Sequence, residues 1–247
     1  MRISFSGTAN TGKSTLLNKF RNRWPMYVTP ARTYRDVINE SKLPHSSNGN
    51  DETQLMVLDF MMKQLDAYEN ESHIVYDRCP WDNLAYTLYG NSAGNNSDEV
   101  TAATISFVKD SMKNLDIIFW LPYPDKIKIE DDGMRDANKK YIRDVDTIFQ
   151  DLYQQYADRL EDDIFYPKED CPAIIPIEEE FLTIDDRLFY ISQFIDDRGN
   201  LIIDERSILD PQNVELMDDM MKQQMEQMEK DKEVIKIMNN PDSKFVL

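Results

Sequence analysis

Gly7-Thr8-Ala9-Asn10-Thr11-Gly12-Lys13-Ser14-Thr15 follows the apolar run Ile3-Ser4-Phe5 with only Ser6 between. This is a complete G-x-x-x-x-G-K-[ST] phosphate-binding loop, and it fixes the chemistry to a nucleoside triphosphate. The backbone must fold tightly around phosphate oxygens and point successive N–H groups inward, which side chains at Gly7 and Gly12 would block. Thr8, Asn10 and Thr11 fill the turn, so the stretch from Gly7 to Thr15 is expected to bind the donor. Lys13 is expected to meet the β- and γ-phosphates and Ser14 to offer its hydroxyl to Mg²⁺. The helix opening near Lys13 presents its positive end to the anion.

Outward from the loop the pattern alternates. A strand at 2–6 and a helix over about 13–23 are followed by a short strand near Tyr27–Val28 and helical segments around 33–40 and 52–69. His73-Ile74-Val75-Tyr76-Asp77 reads as a strand, with helices after Pro80 and near 99–114. Asp116-Ile117-Ile118-Phe119-Trp120-Leu121 lacks polar alternation, the mark of a strand buried on both faces. A long helix over 140–160, a last strand at 173–177 and a covering helix over 183–195 complete an α/β reading. The expected architecture is a parallel sheet of about five strands between helical layers, spanning residues 1–196.

In such sheets ligands bind beyond the carboxyl ends of the strands. Asp77 and Arg78 end one strand, facing the phosphate loop. Asp77 is expected to accept the proton of an attacking hydroxyl or to orient a metal-bound water, and Arg78 to hold phosphate by its planar fork. Asp82 is expected beside them at the substrate. Asp131-Asp132-Gly133-Met134-Arg135 precedes the long helix and has the make-up of a lid over about 131–143. Gly133 supplies a hinge, Arg135 a mobile cation for the transferred charge, and Arg143 a reach toward the triphosphate from the helix start. Arg32 and Arg35 follow the second strand, from which an acceptor is reached. Tyr34, Trp81 and Tyr86 are candidates for a stacking wall or for core.

The phosphate loop, the string Asp77-Arg78-Cys79-Pro80-Trp81-Asp82-Asn83-Leu84-Ala85-Tyr86, and Asp132-Gly133-Met134-Arg135 before a long helix together resemble the small P-loop kinases of the AAA_28 or nicotinamide-riboside-kinase-like group, related to thymidylate and deoxynucleoside kinases. The resemblance implies Mg²⁺-ATP as donor, held at Gly12 to Thr15, a lid arginine at Arg135, and a small acceptor whose hydroxyl or phosphate lies near Asp77. It leaves room for an origin in a bacterial virus. The acceptor does not transfer with the fold.

The 247 residues carry a net charge of −18, which opposes unspecific binding to nucleic acid or to an anionic membrane. The charge is uneven: residues 1–43 hold 8 Lys and Arg against 2 Asp and Glu, the remainder 20 against 44. No apolar stretch approaches a membrane span and no leader opens the chain at Met1, so a soluble, cytoplasmic protein is expected. Cys79 and Cys171 form no disulfide framework and no metal-ligand spacing. Beyond Asp196 the composition changes, and residues 197–247 are expected to form an extension with a polar helix over about 213–238. Its Met217, Met221, Met225, Met228 and Ile235 form a sparse apolar stripe, suited to packing on the core, on a second copy, or on a protein partner.

The expectation is therefore an ATP-dependent kinase for a nucleoside, nucleotide or related pyrimidine acceptor. Two alternatives stand beside it: a kinase for a hydroxymethylated pyrimidine base in DNA, and a non-catalytic nucleotide-gated switch that recruits a partner.

Overall fold

The computed structural model describes residues 1–124, 138–158, 171–178, 181, 183–202, 219, 222–223, 225–227 and 230. The strands β1 (Arg2–Ser6), β2 (Ile74–Asp77), β3 (Ile117–Trp120) and β4 (Ala173–Pro176) form one parallel sheet in the order β2-β1-β3-β4. Around it lie α1 (Lys13–Arg23), α2 (Tyr34–Ser41), α3 (Asp51–Ala67), α4 (Pro80–Ser92), α5 (Asp98–Met112), α6 (Lys139–Asp158) and α7 (Ile184–Ile191).

The sheet has four strands where about five were expected. The missing one is the Tyr27–Val28 segment, which contributes a single parallel bridge, Val28 to Ile74. The Val28 N–H donates to the His73 carbonyl at 3.0 Å and the Val28 carbonyl accepts from Val75 at 2.9 Å. Pro30 then follows, and a proline has no N–H to carry the ladder on. Leu201 makes one antiparallel bridge to Ile195.

Alternation along each strand divides the core. Ile3 and Phe5 of β1, Val75 of β2, Ile117 and Phe119 of β3 and Ile175 of β4 pack with Leu16 and Phe20 of α1 and Tyr190 and Ile191 of α7. Ile74, Tyr76, Ile118, Trp120 and Ile174 pack on the other face with α3, α4, α5 and α6. Ser4 and Ser6 occupy the second face of β1, where a small side chain lets α4 come close; both are fully buried. Met225 packs against the first cluster, as do Ile184 and Leu188 of α7. The other stripe residues of the C-terminal stretch, Met217, Met221, Met228 and Ile235, lie outside the described residues.

Trp81 belongs to this core rather than to a substrate wall. It is fully buried, with edge-to-face contacts to Phe149 at 5.0 Å and Trp120 at 6.1 Å between centroids. A side chain one position after the Pro80 start of α4 faces inward because Cys79, Asp82 and Trp81 share the first turn, packed against β3 and α6. Replacing it leaves a large void, so Trp81→Ala is expected to lower the unfolding free energy by about 3–5 kcal/mol. Denaturant unfolding checks this, and a loss below about 1 kcal/mol contradicts the assignment.

Candidate active site

β1 runs straight into the phosphate loop at the carboxyl end of the sheet. A Cβ on Gly7 would lie 2.4 Å from the Leu121 carbonyl oxygen, and Gly7 adopts φ +127°, so both space and conformation demand glycine. Gly12, at φ +86°, turns the chain into α1. Lys13 folds back across the loop: its ammonium donates to the Thr8 carbonyl and, at 3.0 Å, to the Thr11 hydroxyl. Burial, then the positive charge of Arg78, hold the Lys13 pKa well below its usual value.

Ser14, Asp77 and Arg35 converge from α1, the end of β2 and the first turn of α2. The Ser14 hydroxyl donates to Asp77 Oδ2 at 2.9 Å, and Arg35 Nη1 donates to the same oxygen at 3.2 Å and to Ser14 Oγ at 3.3 Å. Asp77 Oδ1 is buried and has no hydrogen-bond partner.

Behind the loop lies Asp82, which is fully buried and committed to the protein on both oxygens. Oδ1 accepts the Gly7 N–H at 3.0 Å and Arg78 Nη1 at 2.9 Å; Oδ2 accepts the Ser6 hydroxyl at 2.7 Å and the Cys79 N–H at 3.0 Å. Arg78, at φ +80°, also donates to the Gly7 carbonyl at 2.8 Å and to the Tyr86 hydroxyl at 3.0 Å, with Tyr34 and Tyr86 rings on its guanidinium at 5.1 and 5.0 Å. Asp82 was expected at the substrate; it borders the larger cavity, but its place at the third residue of α4 turns both oxygens back to the helix start and the loop. Arg78 likewise spends its fork on Gly7, Asp82 and Tyr86 instead of leaving it open to phosphate. Burial pushes the neighbouring Cys79 thiol up to about 12.

Two hollows meet here. A cavity of about 50 Å³ is lined by Gly12, Lys13, Ser14 and Thr15, and a cavity of about 320 Å³ lies among α2, α3, α4 and the Tyr141 side of α6. Ala9, Tyr34, Arg35 and Arg78 line both. The larger has apolar walls at Ile38, Val57 and Met61, aromatic ones at Tyr34, Tyr86 and Tyr141, and an amide pair at its base. Asn83 Nδ2 donates to Gln54 Oε1 at 3.0 Å and to the Gln54 carbonyl at 3.2 Å, while Asn83 Oδ1 is buried without a partner.

Of the residues singled out in the sequence, the structure brings together Lys13, Ser14, Asp77, Arg78 and Arg35. Arg32 instead forms an exposed ion pair with Glu40 at 2.5 Å. Arg143 is exposed on α6 and lines neither cavity. Arg135 and the segment 125–137 lie outside the described residues. Sequence reasoning missed Gln54, Asn83 and Arg187. Gln54 had left a signal, a polar residue on the stripe that Val57, Leu58 and Met61 carry into the core. Among the described residues no cluster of three or more His, Cys, Asp or Glu could hold a metal, and no helix is long and apolar enough to cross a membrane.

A parallel sheet whose first strand opens into a glycine-rich loop and helix, with a second carboxylate-ended strand beside it, defines a P-loop kinase fold. The chain belongs to the AAA_28 family, whose sequence model, described as an AAA domain, matches residues 2–161. It is similar in structure to M. mycoides deoxyadenosine kinase with bound dATP, at 16% identity and a TM-score of 0.56, over 78% of this chain and 98% of that one. It is also similar to Candida albicans thymidylate kinase, at 17% identity and a TM-score of 0.54, over 83% and 95%. NadR protein in complex with NR aligns at 14% identity and a TM-score of 0.54, over 78% of this chain but 50% of that one. No curated protein matches the sequence.

Two outcomes follow from the geometry. Asp82→Ala strands Arg78 and three further donors in the interior, and is expected to cost about 3–5 kcal/mol of stability in denaturant unfolding; a cost under about 1 kcal/mol contradicts the clamp. For Lys13, burial favours the neutral amine, whereas phosphate oxygens favour the ammonium and raise its pKa again. Between the low free value and the higher bound value, nucleotide binding must take up a proton. Calorimetric titration with ADP in buffers of different ionisation enthalpy should show, between those two values, uptake that Lys13→Met abolishes; release, or no linkage at any pH, contradicts it.

Proposed function

We propose that this chain is an ATP-dependent kinase that transfers the γ-phosphoryl group to a hydroxyl of a nucleoside or nucleotide seated in the larger cavity. One observation carries the reading: the 320 Å³ hollow and the loop hollow share the wall of Tyr34, Arg35 and Arg78, so a donor and a small acceptor fit side by side. The volume lies at the small end of ordinary ligand pockets, with the usual apolar lining and few polar groups.

The residues fit a Mg²⁺ ion. Ser14 Oγ and the Asp77 carboxylate are hard oxygen donors 2.9 Å apart, and Asp77 Oδ1 has no other partner. Once bound there, the ion supplies neutralisation of charge on the phosphate oxygens. Lys13 exchanges the Thr8 carbonyl and Thr11 hydroxyl for phosphate oxygens and stabilises the transferred charge. Asp77 accepts the proton of the acceptor hydroxyl through the oxygen left open. Arg35 turns from Asp77 toward the acceptor side of the shared wall. Arg135 remains the proposed lid cation. In the acceptor cavity Asn83 Oδ1 accepts a hydrogen bond and the Gln54 amide nitrogen donates one, a display complementary to the edge of a base, while Tyr34 and Tyr86 offer ring faces.

The enclosure of this cavity by four helices favours a small acceptor over a base in DNA, which would have to be flipped out of its stack against a chain of charge −18. Transfer of labelled γ-phosphate to nucleosides, nucleoside monophosphates, nicotinamide riboside and hydroxymethyl-pyrimidine DNA tests the reading. Label is expected on a small acceptor, with kcat falling by about 10²–10⁴ in Asp77→Asn and no transfer by Lys13→Ala. Label found only in free phosphate turns the reading toward a nucleotide switch.

A further inference from the structure

Arg187 lies on α7, on the opposite face of the sheet from the acceptor cavity, and is 3% exposed. Its Nε donates to the Phe181 carbonyl at 2.9 Å and its Nη1 to the Thr11 carbonyl at 2.6 Å. A Cβ on Gly12 would stand 3.1 Å from that Nη1. No carboxylate pairs with it among the described residues. Burial, with nothing charged opposing it, draws its pKa down from the usual value.

The contrast with Arg78 is informative. Both guanidiniums are buried against the same loop, but Arg78 is neutralised by Asp82 at 2.9 Å, whereas among the described residues Arg187 has only carbonyl dipoles. A buried charge without a counter-charge is costly, and folds retain one where a ligand supplies the opposite sign. The only binding loop it touches is the one whose partner is a polyphosphate. Its hydrogen bond has a second effect. The peptide between Thr11 and Gly12 is planar and trans, so a carbonyl held toward α7 aims the Gly12 N–H the other way, and Gly12 itself lines the loop hollow with Lys13 and Ser14.

We infer that Arg187 is a positioning residue for the donor: it orients the Thr11–Gly12 peptide of the phosphate loop and supplies beneath it an uncompensated positive charge whose counter-ion is the nucleotide's phosphate chain. This rests on the donor-site reading above, and it adds a residue that no loop motif contains. α7 is thereby tied to the state of the loop, through Phe181 on one side and Thr11 on the other.

The test is equilibrium binding of ADP and AMP, each with Mg²⁺, to the full chain and to Arg187→Met and Arg187→Lys. Because the charge acts on phosphates, Arg187→Met should weaken ADP by about tenfold or more and AMP by clearly less. Arg187→Lys, which keeps the charge but not the two-carbonyl clamp, should recover part of the difference between ADP and AMP. Equal losses for both nucleotides mark a merely structural residue and overturn the inference, as does an ADP affinity within twofold of wild type. Should Arg187→Met not fold, the Arg187→Lys comparison decides alone: an unchanged ADP affinity, or equal loss of ADP and AMP, overturns it. Failure of the wild-type chain to bind ADP is seen before any variant and overturns the donor-site reading itself.

Discussion

The arrangement hangs on one buried carboxylate. Asp82 joins the end of β1 through Ser6, the first residue of the phosphate loop through Gly7, the start of α4 through Cys79, and the guanidinium of Arg78. Four elements that the chain reaches at residues 6, 7, 78 and 79 thus share a single fixed point. Water cannot replace any of these partners in a site with no exposure, so the bonds are made together or not at all. Arg78 then passes the constraint outward: its positive φ is held by Gly7 and Asp82, and its plane sets the spacing of the Tyr34 and Tyr86 rings. Loop and the aromatic wall of the larger cavity are in this way joined through one side chain.

The local charge runs against the global one. Lys13, Arg35, Arg78 and Arg187 surround the loop with Asp77 and Asp82 as the carboxylates among them, in a chain of net charge −18. The acidic remainder repels polyanions at long range, but screening confines that repulsion to about 8–10 Å at physiological salt. Within the hollow the desolvated cations prevail. Such a distribution suits a small anion that enters a pocket better than an extended one that lies on the surface.

Much of this was legible in the sequence, for identifiable reasons. The helices and three flanking strands announce themselves by apolar periodicity. The positions of Lys13, Ser14 and Asp77 were readable because loop spacing and the end of β2 dictate them. What escaped were features set by direction rather than by order. Trp81 and Asp82 sit one position apart in a string whose composition suggests a site, yet the first turn of α4 aims both inward. Asn83 acquires its meaning only from Gln54, 29 residues earlier on α3. Arg187 is a lone arginine in an amphipathic helix until the chain brings Thr11 to it across 176 positions. The Val28 strand failed for a local reason, the proline two residues on, which was visible and was outweighed by the expected βαβ rhythm.

The common wall between the two hollows has a consequence for ligand design. Ala9, Tyr34, Arg35 and Arg78 bound both volumes, so an occupant of one lies within a side chain's breadth of an occupant of the other. A single molecule that joins a nucleoside to an oligophosphate tail can fill both, losing its translational and rotational freedom once instead of twice. The ring faces and the loop would each then act at the effective concentration set by the other. Bisubstrate compounds of this kind, varied in the number of bridging phosphates, would serve as a ruler for the distance between donor and acceptor.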